Sequence, residues 1–426
     1  WKAIMEITAF FSGPSDDLDY PSLRSWVATH LNRDTLSLAD ATNPQILETL
    51  RKAMPALRPA KIVSSIHDTA NSPEADPPSF RVFGQRFTFD SWILSELTRG
   101  SPEVAPTMPT APFVAAAFGD PLAHRLAKLH VRGNPTHEKT LALRLGRLEA
   151  QLHDVDDSAW FASMAAKQLH VMTRLAGELS SDHPHYMRGP AYASRKLEAM
   201  LGSWTELRHD TVLYSKQSYA EAGEGASPAE TPPLPLSFVE PHLPFWAELE
   251  RLSRFAADGF SRHKLIPDAS EEWSRLRRFT SHVQLCRRAA NRIAAGQPLS
   301  KEQNEKLWML NLLYMDEPLA DHRRPDPVRG MTALVTDVHT DAGSGQVLLE
   351  ALDKPVLMLA LVSAGGTTRL TAGVAYQHRE FTASMDQRMT DEAWRKKVYS
   401  SAPGLPPRAD WTVPVFKAST LPRKSR

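Results

Sequence analysis

The hydrophobic residues in the central part of the chain recur at three- and four-residue spacing, the pattern of amphipathic helices. This pattern predicts helices over residues 138–153, 159–179, 192–219, 245–260, 271–295 and 301–313. Ser300 followed by Gln303 has the form of a capping box, which supports a helix start at that point. Thr390, followed by Asp391 and Glu392, predicts a later helix start, because acids there suit the positive end of the helix dipole.

The pattern changes after about residue 330, where short segments rich in Val, Leu and Tyr are bounded by Gly, Ser and Asp. Such segments are typical of β-strands. They predict strands over residues 333–338, 356–362 and 373–381, with turns at 341–345 and 364–368. The sequence therefore predicts an α+β fold that is predominantly helical, in which a large α-helical body is followed by a small C-terminal β-sheet.

Clusters of proline divide the chain. The densest runs are residues 102–112 and 228–244, and each separates two helical patterns. We therefore expect three regions: an N-terminal helical segment with loops over residues 1–110, a helical body over 111–330, and a small β-rich region over 331–426. The helical body is predicted to contain a mobile Pro-rich loop near residues 221–244.

Composition and charge exclude several classes of protein. The chain has 50 Lys and Arg residues against 49 Asp and Glu residues, so no net field favours nucleic acid. The longest uncharged apolar stretches, residues 113–118 and 356–362, are far shorter than the roughly 20 residues of a transmembrane helix. A single cysteine, Cys286, excludes a disulfide within the chain and a zinc site built from several thiolates. Phosphate-binding, dinucleotide-binding and nucleophile-elbow motifs are absent from the sequence.

One candidate site lies in the predicted helix over residues 192–219. A helical projection places Glu206, His209, Asp210 and Gln217 on the face opposite its apolar residues. The apolar face consists of Leu197, Met200, Leu201, Trp204, Leu207 and Thr211. A glutamate and a histidine three residues apart can both reach one cation. The alternative is a solvated or salt-bridged polar face.

A second candidate is the segment Asp337-Val-His339-Thr-Asp341. On a regular strand, alternation would place Asp337, His339 and Asp341 on one face. Three such side chains could bind a cation or act as general acid and base. The alternative is a strand end at which Asp and His cap a turn.

The sequence resembles a bacterial family known as domain of unknown function 3160. The matching segments are Trp1-x-x-Ile-x-Glu-x-Thr-Ala-Phe-Phe-x-Gly, Ser15-Asp-Asp-Leu, Gly84-Gln-Arg-Phe-x-x-Asp-Ser, Ser203-Trp-x-Glu-Leu-Arg-His-Asp-Thr, Phe238-Val-Glu-Pro, Asp337-Val-His-Thr-Asp, residues 376–380, and Thr390-Asp-Glu-x-Trp-Arg. His378-Arg379 stands where family members usually have aromatic residues. The resemblance implies a secreted, periplasmic or outer-membrane-associated bacterial protein, and it implies no activity.

The resemblance also implies a region that precedes residue 1. This chain is then the C-terminal part of a longer protein. The expected partners are that preceding part of the same precursor or another protein of the cell envelope.

These observations support two hypotheses of function. In the first, a pocket between helix and strand binds a divalent metal, zinc or calcium, through Glu206, His209, Asp210, Asp337, His339 and Asp341. Asp90 and Glu240 are additional candidate ligands. If the chain is an enzyme, a metal-activated water would hydrolyse the substrate, with His339, Asp337 and Glu206 as catalytic residues. In the second, the chain is a non-catalytic structural or interaction subunit of a cell-envelope assembly, and the same polar groups only fasten the helix to the sheet.

Overall fold

The computed structural model describes residues 1–32, 37, 39–62, 80–181, 183–212, 236–316, 332–364, 366–400 and 404–416. The helices are α1 (Lys2–Ser12), α2 (Tyr20–Leu31), α3 (Pro44–Ala53), α4 (Phe89–Thr98), α5 (Pro112–Ala117), α6 (Pro121–His130), α7 (Pro135–His153), α8 (Asp157–Trp160), α9 (Met164–Thr173), α10 (Pro190–Val212), α11 (Leu243–Arg262), α12 (Glu271–Ala294), α13 (Lys301–Asp316) and α14 (Asp391–Tyr399). The strands are β1 (Leu334–Asp341), β2 (Gln346–Leu352), β3 (Val356–Ala364), β4 (Thr367–Ala375) and β5 (His378–Ser384). The predicted fold class, α+β and mainly helical with small C-terminal sheets, is confirmed.

The described chain divides into two compact units. Unit 1 contains Trp1–Pro109 and Val131–Lys167, and unit 2 contains Thr110–His130 and Gln168–Arg426. The predicted division at residues 110 and 330 stays a prediction. Residues 221–235 of the predicted Pro-rich loop lie outside the described residues. Within the described ranges, no helix combines the length and the apolar character needed to cross a bilayer.

Unit 1 is built around the contact between α4 and α7. Both helices bury one apolar stripe, which is the usual way in which two helices form a core. The buried members are Ile93, Leu94, Leu97, Leu141, Leu145 and Leu148. The Arg144 guanidinium donates to the carbonyl oxygens of Glu96 and Arg99 at 3.0 and 2.6 Å, so the end of α4 is closed by a side chain from α7.

The predicted helix over residues 159–179 is two helices in the structure, α8 and α9. The Oγ atom of Ser163 accepts a hydrogen bond from the Ala166 N–H at 3.1 Å and so starts a new helix. Two other predicted helix starts are confirmed. Ser300 and Gln303 form the reciprocal capping box, at 3.0 and 3.1 Å. Thr390 accepts from the Ala393 N–H at 3.3 Å.

In unit 2, a three-stranded antiparallel sheet with the order β1-β2-β5 is covered by a helix on each face. On one face, α14 packs its Trp394 and Val398 against Val335, Leu349 and Ala351. On the other face lies α10, which contacts all three strands. The apolar face predicted for α10 is buried: Leu197, Met200, Leu201, Trp204 and Leu207 are at most 6% exposed.

Strands β3 and β4 form a separate antiparallel hairpin. The predicted strand over residues 373–381 is therefore two segments, the end of β4 and the start of β5, which belong to different sheets. Sequence patterning missed β2 and most of β4. The inner side of the hairpin is held by Arg195 of α10, whose Nε donates to the Met358 sulfur at 3.3 Å.

Helix α10 is also fastened at a buried ion pair. The Lys196 ammonium lies 2.9 Å from the Asp120 carboxylate, and both side chains are almost fully buried. The same ammonium donates to the Gly177 carbonyl oxygen at 2.9 Å. Asp120 also accepts from the Ala123 N–H at 2.9 Å, so one carboxylate caps α6 and neutralises a charge on α10.

Candidate functional site

The end of α10 carries the first candidate site. Glu206 is half-buried, Asp210 is exposed, and His209 is only 8% exposed. Gln217 lies outside the described residues. The projected polar face is therefore not uniformly exposed, and at His209 it is salt-bridged, as in the alternative. This residue is covered because α10 packs on the sheet and the start of α14 lies beside its imidazole.

The imidazole of His209 joins three elements. Its Nε2 lies 2.8 Å from the Asp391 carboxylate at the start of α14, and its Nδ1 lies 3.3 Å from the Asp210 carboxylate. Asp391 also accepts the backbone N–H of Val335 in β1 at 3.0 Å. Hydrogen bonds from the His209 imidazole to the Asp210 and Asp391 carboxylates raise the pKa of His209 to about 9, against the opposing effect of burial. At neutral pH His209 is thus a cation that fastens α10 to α14 and β1.

We expect His209→Gln to lower the free energy of unfolding by about 2 kcal/mol at pH 7, because the folded-state pKa lies above the usual 6.5. A histidine with a raised folded-state pKa stabilises the fold fully below pH 6.5. That contribution is lost as the pH rises through about 9. Urea unfolding at pH 6, 7, 8 and 9.5 measures it. The difference in free energy of unfolding between the wild-type protein and the variant should become smaller from pH 6 to pH 9.5. A difference that does not change with pH would show that His209 contributes packing alone.

The second candidate site is altered by a β-bulge. In β1, Asp337 pairs with Leu349 and His339 pairs with Leu348, so Val338 is the extra residue. Since Leu348 and Leu349 point to opposite faces of the sheet, Asp337 and His339 also face opposite ways. The prediction that Asp337, His339 and Asp341 share one face is wrong for Asp337, whereas His339 and Asp341 pair with Leu348 and Gln346 on the same face.

The two aspartates of this segment have separate partners. Asp337 forms an ion pair with Arg388 at 2.7 Å. Asp341 accepts the N–H groups of Gly343 and Ser344 and the Ser344 hydroxyl, the last at 2.6 Å. The alternative for Asp341, a residue that caps the turn, is confirmed. His339 is half-buried on the sheet face that α10 covers.

The expected metal site is not found in the described ranges. No group of three or more His, Cys, Asp or Glu side chains there is placed to hold a metal ion. The six predicted ligands, Glu206, His209, Asp210, Asp337, His339 and Asp341, do not form such a group, so zinc or calcium has no site built from them. Catalytic roles for His339, Asp337 and Glu206 stay predictions.

Glu206 binds a tyrosine at the base of the hairpin. Tyr376, which follows β4, donates its hydroxyl to both oxygens of the Glu206 carboxylate at 3.2 Å. The tyrosine ring lies directly on α10 at Gly202, where an added Cβ atom would come within 3.0–3.1 Å of the ring. Burial raises the pKa of Glu206, against the lowering effect of the Tyr376 hydroxyl. Gly202 therefore allows the hairpin to approach the helix.

Gly202→Ala is expected to leave the protein about 1–2 kcal/mol less stable than Gly146→Ala, because only the first variant meets a neighbouring ring. Gly146 is an exposed glycine in α7 with no atom within 4 Å of an added Cβ, so alanine there should stabilise the helix. Chemical denaturation of both variants measures the difference. An equal gain in stability at the two positions would show that Tyr376 yields without cost.

A cluster of buried acidic side chains lies where α10 packs on the sheet. It was not predicted from the sequence. Glu350 of β2 and Glu380 of β5 are directly opposite each other. The ring Nε2 of His378 lies 2.7 Å from the Glu350 carboxyl group, and the backbone N–H of His378 donates to Glu198 of α10 at 2.7 Å. Thr110 donates to both Glu380 oxygens at 2.8 and 2.9 Å. We call Glu198, Glu350, His378 and Glu380 the acidic cluster.

Burial keeps most of the acidic cluster uncharged. Burial and the neighbouring Glu380 carboxylate raise the pKa of Glu350 well above its usual range. Burial lowers the pKa of His378 to about 3, so the contact between Glu350 and His378 is a hydrogen bond between neutral groups. Burial also raises the pKa of Glu198 to about 7, although the His378 N–H lowers it. Glu198, Glu350 and His378 are at most 6% exposed, so the hydrogen bonds that they make are shielded from solvent.

The sequence contains one indication of this cluster. Glu350 is the single charged residue within the apolar run Val347–Leu352, and a charge inside such a run indicates a buried, partnered group.

Asp90 and Glu240, the additional candidate ligands, are not part of this cluster. Asp90 is buried in α4 of unit 1. Glu240 accepts hydrogen bonds from Tyr192 and Arg195 at 2.9 Å near the start of α10.

Comparison with known proteins gives a family and no activity. A family model described as "Protein of unknown function (DUF3160)" matches residues 1–412. A search of curated proteins finds no match. A search of solved structures finds no match either.

Proposed function

The chain belongs to the DUF3160 family of proteins of unknown function, and on this premise we propose that it is a non-catalytic interaction subunit of a bacterial cell-envelope assembly. The observation that carries the proposal is the outer face of the β3–β4 hairpin. Leu357, Leu359, Leu361, Leu370 and Val374 on this face are between 61% and 73% exposed. Contiguous apolar surfaces of this kind mark interaction sites in folded proteins.

The chemistry of the predicted site supports an interaction role. His209 fastens α10 to α14, Asp337 binds Arg388, and Glu206 holds Tyr376 at the base of the hairpin. Each of these groups links elements of the chain to one another. The hairpin itself contacts α10 at two points, through Arg195 on its inner face and through Tyr376 at its base.

The location in the cell envelope is part of the proposal. It is supported by the resemblance of the motifs to a family of secreted and lipid-anchored bacterial proteins. The single thiol, Cys286, fits an oxidising compartment as well as a reducing one, because burial raises its pKa to about 11 and keeps it unreactive.

The experiment compares variants of one exposed leucine in cells that produce the full protein. Leu359→Glu alters the hairpin, and Leu143→Glu alters an equally exposed leucine on α7, at 61% and 62% exposure. We expect the wild-type protein and Leu143→Glu to fractionate with a large envelope complex, and Leu359→Glu to be released from it. Equal fractionation of both variants would contradict the proposal.

Metal analysis separates this function from the hydrolase hypothesis. The protein is purified without chelators, and its metal content is measured by elemental mass spectrometry. An interaction subunit should contain no stoichiometric metal, and His339→Ala should change nothing in that measurement. About one equivalent of zinc or calcium, lost in His339→Ala, would overturn the proposal and favour a metal-dependent hydrolase.

A further inference from the structure

We propose that the outer face of the hairpin binds the same face of a second copy of this chain, about a twofold axis. This inference rests on the proposed function, since it names the partner of the same surface. The register of the hairpin defines the face: Leu357 pairs with Val374, Leu359 with Ala372, and Leu361 with Leu370. Cross-strand partners point to the same side of a sheet, so these six residues form one continuous apolar surface, the hairpin face.

The inner side of the hairpin is already occupied. Val362 is 2% exposed, and Met358 contacts the Arg195 guanidinium of α10. A two-stranded hairpin is marginal in water unless it packs on further structure. The described part of the chain supplies that packing on the inner side, and the hairpin face presents large exposed side chains.

The charge pattern favours a second copy as the partner. Arg369 is the single charged residue in the segment 356–375. It pairs with Val362, which places it on the inner side. A twofold contact brings the face against its own copy, so a charge near the axis would meet the same charge. The hairpin face carries no charge, so no like charges oppose a twofold contact.

The same pattern disfavours a lipid surface. Segments that bind the membrane interface combine apolar side chains with Trp or Phe and with Lys or Arg at the headgroup level. The hairpin face consists of Leu, Val and Ala only. Tyr376, at its base, donates its hydroxyl to Glu206. No aromatic or cationic group on the face is available for headgroups.

The size of the face sets the expected affinity. Nine-residue strands are about 30 Å long at the usual rise of about 3.3 Å per residue. Burying two such faces removes on the order of 1,000 Å² from water, at the low end for a specific interface. We therefore expect a reversible dimer with a Kd in the micromolar range.

Sedimentation velocity of the purified full chain, from about 1 to 100 µM, tests the proposal. The wild-type protein and Leu143→Glu should dimerise with the same Kd. Leu359→Glu should weaken dimerisation at least about 30-fold, because it buries two carboxylates near the axis. A mixture of Leu359→Glu and Leu359→Lys should restore a heterodimer. Thermal unfolding followed by circular dichroism checks that all variants are folded. We expect them to be, because the substituted positions are exposed.

Three results would overturn the second copy as the partner. They are a wild-type protein that stays monomeric at 100 µM, a Leu359→Glu variant that dimerises as the wild type does, and a mixture that forms no heterodimer. Binding of the wild-type chain to vesicles, lost in Leu359→Glu, would instead identify a lipid partner. A monomeric protein that still fractionates with the envelope through Leu359 would leave the proposed function intact, so the two failures are distinguishable.

Discussion

Asp120→Ala is expected to lower the free energy of unfolding by about 3–5 kcal/mol. The substitution leaves the Lys196 ammonium buried without its carboxylate, 2.9 Å away in the wild-type protein. It also removes the cap from the Ala123 N–H at the start of α6. Urea unfolding at neutral pH measures the loss.

Two control variants separate the charge from the cap. Asp120→Asn keeps an oxygen that can accept from Ala123 and removes only the charge, so it should retain about 1 kcal/mol that Asp120→Ala loses. Adding Lys196→Met to Asp120→Ala should recover much of the loss, because no unpaired charge is then buried. If Lys196→Met in this background recovers nothing, the cost of Asp120→Ala lies in packing and capping rather than in the ion pair.

Glu198→Gln is expected to raise the free energy of unfolding by about 3 kcal/mol at pH 8. Burial raises the pKa of Glu198 to about 7 from a usual 4.5, so the folded protein holds a proton that the unfolded chain releases. The stabilising contribution of this group is full below pH 4.5 and is lost as the pH rises through about 7. Glutamine resembles the protonated acid and still offers an oxygen to the His378 N–H.

The pH dependence of the stability gain tests whether the pKa of Glu198 is raised in the folded protein. The gain from Glu198→Gln should be about 3 kcal/mol at pH 8 and close to zero at pH 4.5. Glu6→Gln, which changes an exposed glutamate on α1, should show no such trend. A variant less stable than the wild type at pH 8 would mean that the ionised carboxylate of Glu198 is stabilised in the fold.

The helices were predictable because their signals are local. The apolar face of α10 follows from helical spacing within 23 residues. The capping box at Ser300 needs only four residues. Strand β2 was missed for a physical reason: all but its first residue are buried. A strand buried on both faces lacks the alternation on which strand prediction depends.

The candidate site was less predictable because its partners are distant in sequence. His209 meets Asp391, 182 residues later, and sequence alone identified Asp391 only as an acid at a helix start. The extra residue at Val338 reverses the face of His339 relative to Asp337, and local sequence carries no mark of such a bulge. The acidic cluster combines residues from α10, β2 and β5, and Thr110, which precedes α5, donates to one of them. Only the tertiary fold brings them together.

The pairing of Glu350 with Glu380 has a consequence for the evolution of the family. Two carboxylates face each other across β2 and β5, and the Thr110 hydroxyl and the Ala111 N–H bind the Glu380 carboxylate. One negative charge can be held there, and a second would repel it at close range. We expect positions 110, 350 and 380 to covary among relatives: a change that removes the Thr110 hydroxyl should be accompanied by replacement of one of the two glutamates, although position 110 precedes both by more than 200 residues.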